Sequence, residues 1–220
     1  MHDPVLRLCE DILSSGAALA LPALPRMIFV LHGAMTIAER SLSDGEAWQG
    51  EGALTLHAGN RGASVWRWEL ASGAADLTEQ LLPAVRSREK LSAHLQTLPK
   101  GELLLRGDSV AFPAGGCAYP HRHQGPGVRC LIEGGIRIDT HGSSTSYGPG
   151  GAWYESGPDA VFAQAASNRP SRFIRVMILP RELIGKSSIR LVNEEDKTKP
   201  RAQQYKIFAD SPITFVTART

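Results

Sequence analysis

Cysteine is scarce in this chain of 220 residues: Cys9, Cys117 and Cys130 are the full set, with no Cys-x-x-Cys pair. That excludes a disulfide scaffold and a thiolate zinc site, and it fits a reducing compartment. An excess of one charge is also missing. Lys and Arg number 24 against 22 Asp and Glu, a net charge of +2, and no stretch concentrates the basic residues, so nucleic acid is not an expected partner. Long apolar runs are absent too, because Arg26 interrupts the Ala/Leu-rich stretch near the N-terminus well short of membrane-spanning length. Asp3, Glu10 and Asp11 stand where a signal peptide needs cations. The expectation is a soluble cytoplasmic protein with no membrane partner.

What the chain does have is punctuation. Its 22 glycines and 14 prolines separate short β-prone runs, and 42% hydrophobic content is enough for one large domain or two small ones. MIFVL, ALTLH and SVWRWEL read as strands between residues 27 and 70. ELLLR, SVAF, VRCLI, GIRID, AWYES, AVFAQA and FIRVMIL follow between residues 102 and 179. So many short strands predict an antiparallel sandwich or barrel. Two helices are expected beside it. Residues 4–13 place Val5, Leu8, Cys9 and Ile12 at helical spacing behind Asp3 and Pro4, and residues 76–98 repeat Leu and Val at that spacing around Pro83. The division read from these patterns is 1–98, a barrel domain at 99–195, and a charged arm at 196–220 that docks on this or a neighbouring subunit.

The chemistry concentrates in one stretch, residues 112–138. His121 and His123 are two apart at the head of a strand, so alternation sends both rings to one face. Buried inside a barrel without a metal or hydrogen-bond partners, such a pair would carry a desolvation penalty, which favours a ligand role. Arg129 shares their parity; pointing inward it would clamp an anion, and pointing outward it is a solvated strand residue. Tyr119 has that parity as well, as a cavity donor or a rim residue. Trp66-Arg67-Trp68-Glu69 alternates apolar and charged residues and reads as two indoles packed in a barrel or a dimer seam. Cys117 and Cys130 read as small strand hydrophobes. Tyr147-Gly-Pro-Gly-Gly151 is no phosphate loop, since it lacks the Lys-Ser/Thr and opens a strand.

Gly115, His121-Arg122-His123, Leu131-Ile-Glu-Gly134, the Tyr147–Gly151 turn and Asn168 together resemble the cupin superfamily, over roughly residues 100–180. The resemblance implies an all-β jelly-roll barrel, with residues 27–71 as a partial second unit. It also implies a divalent ion held by two histidines and a carboxylate of a first motif and one histidine of a second. This chain departs from that pattern. Gly127 stands where the family has its glutamate, and near Asn168 no second-motif histidine occurs. Glu155 is the first substitute ligand, in competition with an ion pair to Arg129 or Arg175; Gln164 and Gln124 are weaker oxygen donors, and His141 belongs to a polar hairpin loop. Two histidines and a carboxylate suit Fe, Mn, Ni or Zn. The expected function is a metal-dependent enzyme of dioxygenase-like or Lewis-acid type acting on a small organic acid, with Tyr119, Gln124 and Arg129 near the substrate. The competing function is a non-catalytic binding or sensor cupin. A homodimer is expected in either case.

Overall fold

The computed structural model describes residues 3–73 and 82–215. The chain divides into two compact units, Met1–Gln96 with Ile213–Thr220, and Thr97–Pro212. Among the described residues no helix is long and apolar enough to cross a membrane. The only helical segments among them are two short 3-10 turns at Arg181–Leu183 and Glu194–Thr198.

The first unit holds β1 (Val5–Leu13), β2 (Ala18–Leu21), β3 (Arg26–Ile37), β4 (Arg40–Ser43), β5 (Ala47–Gly50), β6 (Leu54–Ala71) and β7 (Val85–His94). They form one antiparallel sheet of order β4-β3-β6-β1-β7, with β2 added to β6 and β5 to β3. Both expected helices are therefore corrected. Residues 5–13 form a strand between β6 and β7, buried on both faces over residues 5–9, so the two-residue alternation that would reveal a strand is erased there. Its polar residues imitate a helical face but pair across the sheet instead. Residues 85–94 of the second expected helix form β7 beside β1; positions 76–81 lie outside the described residues.

One face of this sheet changes character along its length. Leu13, Ile28, Val30 and Val65 belong to an apolar core cluster. Two steps along β6 the same face carries Arg67 and Glu69, joined by Arg7 and Asp11 of β1 and Arg26 of β3, all at most 5% exposed. Glu69 binds Arg7 at 3.0 Å, the Arg26 Nε at 3.1 Å, and Arg67, while Arg67 Nε also bonds Asp11 at 2.7 Å. Trp66 and Trp68 lie on the opposite face, buried and edge to face at 6.1 Å. This is the packed reading of the two indoles.

The second unit is a sandwich of two five-stranded sheets. Its strands are β8 (Leu103–Phe112), β9 (Cys117–His123), β10 (Gly127–Glu133), β11 (Ile136–Thr140), β12 (Ser143–Tyr147), β13 (Ala152–Glu155), β14 (Val161–Ala165), β15 (Ser171–Pro180), β16 (Ile189–Leu191) and β17 (Gln204–Ile213). The sheets run β13-β10-β15-β8-β17 and β12-β11-β14-β9-β16, an all-β jelly roll. Local chemistry sets the turns. Thr140 faces Ser143 across a two-residue loop whose His141 and Gly142 have φ of 50° and 72°, the left-handed pair a type I′ hairpin requires. Inside, Val110, Phe112, Leu131, Ile138, Trp153 and Phe173 pack one core cluster, with Trp153 and Phe173 edge to face at 5.2 Å.

Candidate metal centre

Next to that aromatic core, the interior of the second unit turns polar. His121 and His123 come from β9 in one sheet, and Glu155 comes from β13 in the other. All three are buried, at 5 to 7% exposure, and their candidate ligand atoms lie within 4.8 Å of one another. His121 Nδ1 donates to the Tyr119 carbonyl oxygen at 2.8 Å, which leaves its Nε2 lone pair aimed inward. His123 Nε2 lies 3.2 Å from that atom, and its Nδ1 is 3.4 Å from Ser188 Oγ. Two ligand nitrogens on an ion bound at about 2.1 Å would be separated by about 3.0 Å in octahedral and about 3.4 Å in tetrahedral geometry. The observed spacing falls between these values.

The carboxylate is held from both sides. Trp153 Nε1 donates to Glu155 Oε1 at 2.9 Å, two residues along the same strand face. Glu155 Oε2 stands 2.7 Å from Arg129 Nη2 and 3.3 Å from His123 Nε2, yet neither Oε2 nor Nη2 has a directed hydrogen bond. A buried carboxylate oxygen without one is open to a cation. The register explains why the carboxylate arises here: Gly127 pairs directly with Glu155 across β10 and β13. A Cβ at Gly127 would lie 2.6 Å from the Val176 carbonyl oxygen and 3.0 Å from Arg129 Nη1. The place where the family has its glutamate is closed to a side chain, and the acid comes from the neighbouring strand.

Arg129 is 1% exposed and points inward, its Nη1 donating to the Gly127 carbonyl at 2.6 Å. Next to it in register is Arg175, which grips Asp108 through two bonds of 2.9 and 2.6 Å. Glu155 and Asp108 thus balance the two guanidinium groups. The void bounded by these groups measures about 20 Å³. That is room for a single ion or water and not for an organic acid.

Three expected site residues lie elsewhere. Gln164 shares β14 with the buried Val161, Ala163 and Ala165 but has the opposite parity, and contacts the Gly115 carbonyl and Arg137 outside. Tyr119 loses the histidine parity at a bulge: Val161 pairs with His121 but Ala163 pairs with Ala118, so Ala118 and not Tyr119 lines the cavity. Gln124 accepts a bond from Arg190 and borders a separate open pocket. His141 is exposed in its hairpin beside Asp159. Trp153, Asp108, Ser188 and Tyr205 belong to the surroundings of the centre and were missed. Of these only Trp153 carried a sequence signal, its two-residue spacing from Glu155.

Electrostatics follow from burial. Desolvation drives the His123 pKa down to about 3, although Glu155 pulls it upward, and lowers that of His121 by the same cause. Burial alone would raise the Glu155 carboxyl, but Arg129 and His123 hold it well below the usual carboxylate range. In the unfolded chain both histidines take up protons near pH 6.5, so the unfolded state binds more protons below that pH and the metal-free fold weakens. His123 alone, with its pKa at about 3, should remove about 2 kcal/mol between pH 7.5 and pH 5. Urea unfolding in the presence of a chelator at both pH values measures this, and His123→Gln should flatten the dependence. The carboxylates add their loss only below about pH 4.

No family model matches the sequence, and no curated protein does. Solved structures match over most of the chain. Oxalate decarboxylase of Bacillus subtilis, in a study of its Mn(II) centres, has TM-score 0.62 and 12% identity over 88% of this chain and 73% of its own. The Lactobacillus farciminis oxalate decarboxylase formate complex has TM-score 0.61 and 12% identity, covering 91% and 87%. AerE from Microcystis aeruginosa has TM-score 0.56 and 15% identity, covering 81% and 89%. Likeness at this identity establishes a shared fold and not a shared activity.

Proposed function

We propose, for a chain with the cupin fold, that the second unit binds one divalent ion through His121, His123 and Glu155 and uses it on a small molecule. The observation that carries this is the pair of inward imidazole nitrogens 3.2 Å apart. With His121 Nδ1 committed as a donor, its Nε2 lone pair faces His123 Nε2 across a buried void of ion size, where an ion would stand in place of the proton the two rings otherwise share. The manganese centres of the Bacillus subtilis enzyme support a divalent metal on this fold. Nitrogen and oxygen donors suit Mn, Fe, Ni or Zn.

A bound ion would supply Lewis acidity or a redox centre. The residues around it have separate tasks. Trp153 and Arg129 orient the Glu155 carboxylate, Tyr119 fixes the His121 tautomer through its carbonyl, and Phe112, Phe173 and Ile138 exclude bulk water from the polar end. Arg129, engaged with Glu155, acts on the ligand set and is not a free anion clamp. A second reading, a binding or sensor cupin without turnover, draws on one observation: the void admits an ion but no organic molecule. Elemental analysis tests the metal itself. The parent chain should carry about one transition ion per unit, and a His121→Ala/His123→Ala variant none. Absence of metal from both would defeat the proposal.

A further inference from the structure

The cavity that holds the candidate centre is sealed by nearly all of its lining. Twelve of its fourteen lining residues are less than 9% exposed. Ile189 of β16 is half-buried, and Tyr205 of β17 is 48% exposed while still forming part of the wall. Both belong to edge strands, one from each sheet. Tyr205 therefore has one side in the cavity and the other in solvent. Its ring lies 6.0 Å from the Arg175 guanidinium, a contact that a rotamer change breaks without disturbing a strand. By contrast, His121, His123, Arg129 and Glu155 are tied down by bonds or ion pairs.

From this placement we infer that Tyr205 is the gate of the metal cavity, and that ions and small ligands pass between Tyr205 and Ile189. The inference rests on the metal reading and adds a route and a size filter to it. With the ring in place the void admits an ion alone; with the ring swung out, the space it vacates becomes available to a small molecule in reach of the ion. This reconciles a sealed centre with a substrate. The rival route is the open pocket of about 240 Å³ bordered by His123, Gln124, Ser156 and Pro158. That pocket shares only His123 with the cavity, and the His123 ring is packed against His121 and Glu155.

The experiment follows zinc alone, loading into metal-free full-length chain and released to a colorimetric chelator. Tyr205→Ala should speed both loading and release about ten-fold or more, because a gate sets rates. The equilibrium affinity should stay within about three-fold, since the ring is not a ligand. Tyr205→Phe, which keeps the ring, should match the parent. Parental rates in Tyr205→Ala, or slowed loading in Ser156→Trp, would overturn the gate and place the route beside His123. Failure of the parent to take up zinc, manganese, iron or nickel would instead overturn the metal reading, and the gate with it.

Discussion

Glu69→Ala is expected to remove at least about 3–5 kcal/mol of stability, the range measured when one partner of a buried ion pair is deleted. The physical reason is the number of cations that share this carboxylate. The register places Arg26, Glu69 and Arg7 in one row across β3, β6 and β1, with Arg67 two residues along from Glu69 on the same face. Burial alone would raise the Glu69 carboxyl; Arg67 and Arg26 hold it below its ordinary range, so it is ionised in the fold. Alanine would take a carboxylate away from three guanidinium groups, none more than 5% exposed, of which Arg67 keeps its bonds to Asp11. A loss of this size is a large part of the total stability of a domain. Chemical unfolding of the full chain measures it, with Glu133→Ala as the comparison. Glu133 pairs with Arg172 at the surface, where deletion should change stability by less than about 0.5 kcal/mol. Equal effects of the two substitutions would contradict the structural argument.

The second large effect is expected at Glu155, where stability and metal binding separate. Glu155→Ala takes away the proposed ligand oxygen and leaves Arg129 buried without its counter-ion. Loss of affinity should exceed the 10- to 100-fold typical of an outer-shell partner, and stability should fall by about 3 kcal/mol. Replacing both partners with apolar residues, Glu155→Leu with Arg129→Met, should restore most of the stability, because removing a whole buried pair is often neutral. It should not restore metal. Titration calorimetry and thermal unfolding on the three chains distinguish these outcomes; metal binding retained by the double variant would remove Glu155 from the ligand set. Glu155→Gln, which keeps the Trp153 contact but lacks the charge, should bind metal more weakly than the parent.

The barrel and its histidine pair were legible because they depend on local pattern. Short β-prone runs between glycines and prolines gave β8, read as two pieces, with β10, β11, β13, β14 and β15, and His121-x-His123 gave two inward rings. The errors arose where burial removed the pattern. The first half of β1 is covered on both faces, so its apolar residues there no longer alternate, and its charged residues have partners fifty or more positions away. Tyr119 was misplaced by a bulge that adds one residue to β9 and reverses parity on the far side. Gln164 was misplaced by counting from a motif without knowing the face of β14.

By itself, then, the sequence determined an all-β chain with two imidazoles bound for the same interior, since strand periodicity and turn chemistry act over a few residues. Glu155 was already the first candidate carboxylate, in competition with an ion pair; only the tertiary structure decided that it stands beside His123 and Arg129 together. Pairing between β10 and β13 sets Glu155 opposite Gly127, and packing against Val176 and Arg129 shuts the glycine's own position. The charges that balance the centre, and the tyrosine at its mouth, come from strands distant in sequence; cross-strand register, which no local signal encodes, brings them together.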